Sequence, residues 1–104
     1  MAFTRIHHVG VVVPDLNAAK RLWVDSYGFG VDESRSPLPS GRHVALDNVN
    51  ILDLPVGESE IEINMPNDTE SGTGRYLTNR GPGLHHLGLY TDDIEGDVRR
   101  LEKG

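Results

Sequence analysis

Short apolar runs alternate with turns rich in proline and glycine along most of the chain. Branched aliphatic residues recur in 6–13 and 84–90, and each segment is short and bounded by Pro14 or by Thr91-Asp92, so each is predicted to be a β-strand. Three further strand-like runs, 30–34, 42–47 and 60–65, are separated by turn residues. The pattern therefore predicts a sheet of five strands.

The segment 15–27 has the apolar spacing of an amphipathic helix. Asp15 is suited to be its N-cap, and Gly28 is suited to end it. The predicted apolar stripe consists of Leu16, Ala19, Leu22 and Trp23. This helix would cover one face of the sheet.

A second amphipathic helix is predicted to start near Asp92, where the sequence resembles a capping box. Ile94, Val98 and Leu101 would lie on one face of it. A shorter helical stretch is expected over 76–79, before the turn residues 81–83. At each end of the chain, a predicted strand is thus followed by a predicted helix.

The chain contains an internal repeat. Residues 6–11 align with 84–89, and both segments read apolar-His-His-apolar-Gly-apolar. The first copy is predicted to form a βαβββ unit over 1–66, followed by a linker over 67–82, and the second copy, 83–104, stops after its helix. The predicted fold class is α+β, in one domain.

Alternation along the strands assigns the histidines to faces. Side chains at successive strand positions point to opposite sides. His7, Val9 and Val11 are therefore predicted to face the helices, and His8 the opposite side. The repeat gives His86 the position equivalent to His8.

The same alternation selects one carboxylate. In 60–65, Ile61 and Ile63 would face the helices, so Glu62 joins His8 and His86 on the other face. Two imidazoles and a carboxylate suit a divalent first-row metal, namely Co, Ni, Zn, Mn or Fe, with positions left for water or substrate. The sequence predicts a metal site at these three residues.

A His-His pair and alternating glutamates also occur on partly solvated sheets that have no function. The agreement of repeat, alternation and carboxylate favours the metal site over that interpretation. His7 and His85 are expected to support the ligands or to have a structural role. His43 is expected to be a surface residue.

The amino-acid composition restricts the classes of ligand and partner that the protein is expected to bind. The 104 residues contain no cysteine, so a metal must be held by His, carboxylate, amide or water. The net charge of −6 argues against binding to nucleic acid or to an anionic membrane. A small molecule is therefore the expected partner. Because no apolar run reaches membrane-spanning length and the N-terminus has no signal-peptide apolar region, a reducing cytoplasm is the expected location.

The segments 6–16 and 80–89, with Asp92-Asp93-Ile94, resemble the vicinal oxygen chelate superfamily of glyoxalases, bleomycin resistance proteins and dioxygenases, and within it the methylmalonyl-CoA epimerases. The resemblance implies paired βαβββ modules that curl into a cup around a divalent metal. Carried over residue by residue, it implies His8, Glu62 and His86 as ligands. The fourth ligand would be the counterpart of Glu62 in the second module, beyond Gly104.

The resemblance implies a metal-dependent isomerase or lyase of the methylmalonyl-CoA epimerase or glyoxalase type, which enolises a carbonyl or acyl-CoA substrate with Glu62 as a catalytic carboxylate. Val44 stands where some members have a second base, and that role is not carried over. The alternatives are a non-heme Fe(II) extradiol-type dioxygenase and a non-catalytic binding or resistance protein. Arg42, Arg75 and Arg80 could meet an anionic ligand, although solvated arginines are more common.

The predicted sheet ends in unpaired strand edges, which another chain could cover. We therefore expect a homodimer, with exchange of strands or modules between chains as one form of it.

Overall fold

The computed structural model describes residues 3–91, 95, 96, 99 and 102. Its elements are β1 (Phe3–Val12), α1 (Leu16–Lys20), a π-helical segment (Arg21–Ser26), β2 (Arg42–Val44), β3 (Val49–Val56), β4 (Ser59–Pro66), α2 (Gly72–Arg80) and β5 (Gly83–Thr91). The α+β class is confirmed. The predicted helix residues Asp92, Ile94, Val98 and Leu101, and also Asp93, lie outside the described residues.

The five strands form one curled sheet in the order β2-β3-β4-β1-β5. β1 runs parallel to β4 and antiparallel to β5, whereas β2, β3 and β4 are joined as antiparallel neighbours. The first four strands complete the predicted βαβββ unit. β5, which contains the start of the second copy, pairs directly with β1, which contains the start of the first copy.

The hydrophobic core lies between α1 and one face of the sheet. Its buried members are Val13, Leu16, Ala19, Leu52, Leu54 and Ile63. Val11 and Ile61 pack against this cluster, as the alternation predicts. Burial of these apolar side chains is the main stabilising contribution to the fold. No helix in the described part of the chain is long and apolar enough to cross a membrane.

Both ends of the first helix agree with the sequence. The Asp15 carboxylate accepts the backbone N–H groups of Asn17 and Ala18, which makes it the N-cap. Gly28 follows the helix with a φ of 84°, a left-handed conformation that glycine adopts without strain.

The interior of this helix differs from the prediction. After Lys20 the helix widens, and the N–H of Tyr27 bonds to the carbonyl of Leu22, five residues earlier. A π-helical turn holds more residues than an α-helical turn, so side chains rotate away from the 3.6-residue spacing. Leu22 is consequently 46% exposed, and its assignment to the buried stripe was wrong.

Two of the predicted strands also need correction. Residues 30–32 have no regular secondary structure and a turn begins at residue 33, although the N–H of Asp32 bonds to the carbonyl of Asp53 in β3. The third strand of the unit is Val49–Val56, which the sequence analysis missed because its Asn, Asp and Pro residues interrupt the pattern. The strand predicted over 42–47 ends at Val44, where a turn begins.

The linker helix α2 is longer than the predicted 76–79. Ser71 caps its N-terminus by accepting the N–H of Gly74, and Gly81, with a φ of 78°, ends it. The carboxylate of Asp68 accepts hydrogen bonds from the side chain of Asn48 and from the N–H of Ser71. The side-chain bond from Asn48 and then the N–H of Ser71 lower the pKa of Asp68 to about 2.

We predict that Asp68→Asn makes the protein less stable near neutral pH. Because the pKa of Asp68 is depressed in the folded state, its charge contributes stability above its ordinary value of 3.8, and this contribution is lost as the pH falls through about 2. Urea unfolding at several pH values should show a difference between wild type and variant that shrinks on acidification. Glu33→Gln, at an exposed position, is the control; a variant difference that stays constant with pH would contradict the assignment.

Candidate metal centre

His8, Glu62 and His86 meet where β4, β1 and β5 lie side by side. In the sheet register, Gly10 of β1 lies opposite Glu62 on one side and His86 on the other, and His8 lies opposite Gly88. The two Nε2 atoms are 2.9 Å apart. Oε1 of Glu62 is 3.8 Å from Nε2 of His8 and 4.0 Å from Nε2 of His86. The structure thus brings together the three residues that the sequence selects.

These distances, and the lowered pKa of His86, fit a metal ion. A triangle with these sides accommodates an ion at roughly 2.0–2.2 Å from each atom, the usual distance for nitrogen and carboxylate ligands. Burial, and then the neighbouring His8, lower the pKa of His86, whereas Glu62 opposes the shift. The neutral imidazole that a metal requires is therefore favoured.

The charges on this face explain why Glu62 is the available carboxylate. Asp53, which is fully buried, accepts hydrogen bonds from Nε and Nη2 of Arg42 at 3.1 and 3.0 Å. Glu60 accepts hydrogen bonds from Nη1 of Arg35 on both of its carboxylate oxygens, at 3.0 and 2.8 Å. Glu62 lies 3.8 Å from Nη2 of Arg42, beyond hydrogen-bond distance.

Asp53, Glu60 and Glu62 also lie close enough together to hold a cation. Two of these three acids already have guanidinium partners, so their charge is compensated. Within the described part of the chain, Glu62 accepts no direct guanidinium hydrogen bond, so its carboxylate is available to a cation placed between the histidines.

Two glycines that the sequence analysis aligned but did not assign are part of the site. A Cβ on Gly10 would lie 2.2 Å from the His86 ring, and a Cβ on Gly88 would lie 2.2 Å from the His8 ring. Each imidazole thus occupies the space above the glycine of the other repeat. The sequence contains His-x-Gly in both copies. Only the pairing of β1 with β5 shows that the glycine of each copy leaves space for the histidine of the other.

The positions of His7 and His85 differ from the prediction by alternation. Nδ1 of His7 is 2.7 Å from Nδ1 of His8, and Nδ1 of His85 is 2.8 Å from Nδ1 of His86. The β1–β5 ladder contains register shifts, including one between Ile6 and His8, and such irregularities change the direction of nearby side chains. Burial, and then His86, lower the pKa of His85.

The remaining candidates lie away from the centre or are engaged elsewhere. His43 is exposed and bonds to Oδ1 of Asn50, as expected for a surface residue. Arg42 is held by Asp53, and that hydrogen bond raises its pKa. Arg75 and Arg80 are exposed on α2.

We predict that Gly88→Ala and Gly10→Ala each weaken Co²⁺ binding by about 10-fold or more, because the added Cβ displaces the ring of His8 or His86. Titration calorimetry with Co²⁺ measures the effect, and circular dichroism checks that the fold is retained. Gly30→Ala is the matched control, since no atom lies within 4 Å of its Cβ position. Unchanged affinity in both site variants would show that these glycines do not shape the centre.

Comparison with known proteins agrees with this architecture. The profile of the Glyoxalase/Bleomycin resistance protein/Dioxygenase superfamily matches residues 7–104. The mitochondrial methylmalonyl-CoA epimerase of Mus musculus is 32% identical over 100 residues, which cover 95% of this chain and 52% of the mouse protein. The Homo sapiens enzyme is 29% identical over 95% of this chain and 53% of its own length. The chain therefore spans about half the length of these relatives.

Solved structures show the same fold. A Streptomyces coelicolor methylmalonyl-CoA epimerase variant in complex with 2-nitronate-propionyl-CoA has a TM-score of 0.80 and 25% identity, covering 98% of this chain and 70% of that one. The epimerase from Mycobacterium tuberculosis has a TM-score of 0.79 and 25% identity, covering 98% of this chain and 65% of that one. This chain belongs to the glyoxalase/bleomycin resistance protein/dioxygenase superfamily, the vicinal oxygen chelate superfamily that its sequence resembles.

Proposed function

We propose that this chain binds one divalent metal through His8, Glu62 and His86 and acts as an isomerase of the methylmalonyl-CoA epimerase type. The observation that carries the proposal is the 2.9 Å approach of the two Nε2 atoms beside a carboxylate that no guanidinium bonds directly. The relatives named methylmalonyl-CoA epimerase support the substrate class, an acyl-CoA with an acidic proton next to its carbonyl.

The donor set of two imidazoles and one carboxylate suits Co, Ni, Zn, Mn or Fe. When bound, such a metal supplies Lewis acidity toward the substrate carbonyl, which makes the proton on the adjacent carbon easier to remove. His8 and His86 would hold the metal through Nε2, and the Glu62 carboxylate lies beside both of these nitrogens.

Glu62 provides the proton acceptor. Its Oε1 is the oxygen nearest both histidines, which leaves Oε2 to take the proton from the substrate carbon. Nη2 of Arg42 lies 3.8 Å from Oε2. Asp53 and Glu60 are paired with arginines, and Val44 occupies the matching position of a second base in other members.

Epimerisation also needs an acid on the opposite face of the substrate. On the part of this face that the structure describes, the other two carboxylates, Asp53 and Glu60, both accept direct hydrogen bonds from arginines. We therefore propose that these residues carry out exchange of the substrate proton on one face, and that a group outside the described residues completes epimerisation.

We predict that Glu62→Gln keeps Co²⁺ affinity within about 10-fold, because an amide oxygen can still bind the metal, but lowers proton exchange by about 10² or more, since the amide cannot accept a proton. Loss of the α-proton signal of methylmalonyl-CoA in D₂O, followed by NMR, measures the exchange. Glu62→Ala should lose both metal binding and exchange.

Glu58→Gln, at an exposed turn position, is the control for the loss of one carboxylate. Full exchange activity in Glu62→Gln would exclude Glu62 as the base. Wild-type protein that binds no Co²⁺, Ni²⁺, Zn²⁺ or Mn²⁺ would overturn the metal site itself.

A second candidate is an Fe(II) extradiol-type dioxygenase, which the ligand set of two histidines and one carboxylate favours. Oxygen uptake by the iron-loaded protein with a catechol, and no exchange with methylmalonyl-CoA, would support it. Ligand binding that persists at full strength in a chelator would instead support a non-catalytic binding protein.

We also propose that the chain forms a homodimer through the outer strand of the sheet. Leu84 and Leu87 of β5 are 60% and 55% exposed, and Leu89 and Ile6 are also exposed. Apolar side chains grouped along one strand are typical of a surface that another chain covers. Within the described residues, the sheet order places β5 at an edge.

Light scattering at micromolar concentration should give the mass of a dimer. Leu87→Glu is expected to shift the protein toward monomer, because a charge at a buried interface position is unfavourable. Leu46→Glu, at a turn position that is 99% exposed, should leave the dimer intact. A monodisperse wild-type monomer would refute the proposal.

The domain organisation is proposed to be one βαβββ unit over 1–66, a linker over 67–82 and the beginning of a second unit over 83–104. The expected lack of nucleic-acid and membrane partners and the cytoplasmic location stay predictions of the sequence.

A further inference from the structure

We propose that His7 and His85 are positioning residues that determine which ring nitrogen of His8 and of His86 faces the metal. Each is proposed to accept the Nδ1–H of its neighbour, so that Nε2 of the inner histidine carries the free lone pair. This inference rests on the metal site proposed above.

The geometry is the same on both strands. Nδ1 to Nδ1 distances are 2.7 Å for His7 and His8 and 2.8 Å for His85 and His86. In both pairs the ring centroids are 5.0 Å apart, with interplanar angles of 84° and 83°. Two independent copies of one arrangement make a chance contact a poor explanation.

The chemistry of a neutral imidazole gives this contact a direction. One ring nitrogen carries a proton and the other a lone pair. A histidine that binds metal through Nε2 has its proton on Nδ1 and must donate it. The acceptor is Nδ1 of the outer histidine, whose own proton then lies on Nε2. When Nε2 of the inner ring binds a metal, this one hydrogen bond therefore specifies the tautomers of both rings in a pair.

Tyrosine side chains hold the outer histidines in place. Tyr90 of β5 contacts His7 edge-on, with centroids 4.6 Å apart, and Tyr76 of α2 contacts His85 in the same manner at 4.7 Å. Tyr76 also donates its hydroxyl to the carbonyl of Leu84 at 2.5 Å. The two tyrosines come from different elements and do not occupy equivalent positions in the repeat. The contact that holds His7 is therefore independent of the contact that holds His85.

Arginines cover both tyrosines. The guanidinium of Arg5 lies 4.2 Å from the Tyr90 ring centroid, and that of Arg80 lies 5.7 Å from the Tyr76 ring centroid. Such contacts restrict the rings against which the outer histidines pack. Each outer histidine thus has a fixed orientation from which it can orient its neighbour.

The four rings also predict a tautomer change on metal binding. In chelator-treated protein, the two Nε2 atoms, 2.9 Å apart, can share one hydrogen bond, so one inner histidine has its proton on Nε2 and accepts at Nδ1. Metal binding at both Nε2 atoms requires that ring to donate at Nδ1 instead. One outer histidine must then move its proton from Nδ1 to Nε2.

Variants of His7 and His85 test the role directly. An asparagine places its amide oxygen near the position of imidazole Nδ1 and so keeps an acceptor, whereas alanine removes it. His7→Ala and His85→Ala are each expected to lower Co²⁺ affinity by about 10- to 100-fold in calorimetry. His7→Asn and His85→Asn should stay within about 3-fold of wild type. His43→Ala, at an exposed histidine, is the control and should leave affinity unchanged.

Long-range ¹H–¹⁵N NMR spectra provide a readout besides affinity. In Zn²⁺-loaded protein, His7 and His85 should both show a protonated Nε2 and a bare Nδ1, and chelation should change the tautomer of one of them. Alanine variants with wild-type affinity, asparagine variants as weak as alanine, or a protonated Nδ1 on either outer histidine in the loaded protein would overturn the inference.

The two proposals fail in different ways. Loss of the metal site itself appears as wild-type protein without metal affinity or as Glu62→Ala with unchanged affinity. Failure of the positioning role alone appears as wild-type binding that Glu62→Ala weakens and the variants of His7 and His85 do not.

Discussion

The antiparallel pairing of β1 with β5 is the constraint on which the candidate site depends. Its register places His8 opposite Gly88 and Gly10 opposite His86, so each ring lies over a position without a side chain. The two Nε2 atoms can approach to 2.9 Å only because both positions are glycine. The candidate site thus forms where the two copies of the repeat pair with each other.

The neighbouring strand β4 places the carboxylate of Glu62 beside this pair of imidazoles. Parallel pairing with β1 brings Glu62 beside Gly10, and the two arginines neutralise Asp53 and Glu60. A buried acid without a partner is costly, which explains why the arginines are present. The result is a face with several carboxylates of which one, Glu62, has no direct guanidinium bond and points toward the histidines.

Where prediction from the sequence was wrong, distant contacts override local preference. β3 contains Asn50, Asp53 and Pro55, which are uncommon in strands, yet it is paired on both sides and largely buried. Residues 30–34 have strand-like composition but form no strand, and Asp32 makes a single backbone hydrogen bond to Asp53 of β3. The π-helical segment likewise changes which side of the helix Leu22 occupies.

The sequence by itself indicated the α+β class and selected His8, Glu62 and His86 for one face, because alternation is a property of the extended backbone and needs no knowledge of neighbours. Only the tertiary structure decided the spacing of these groups, the space provided by Gly10 and Gly88, and the contacts of the outer histidines with tyrosines. Those features depend on register and on local irregularities between strands far apart in the chain, and such pairings are set by packing of the whole sheet.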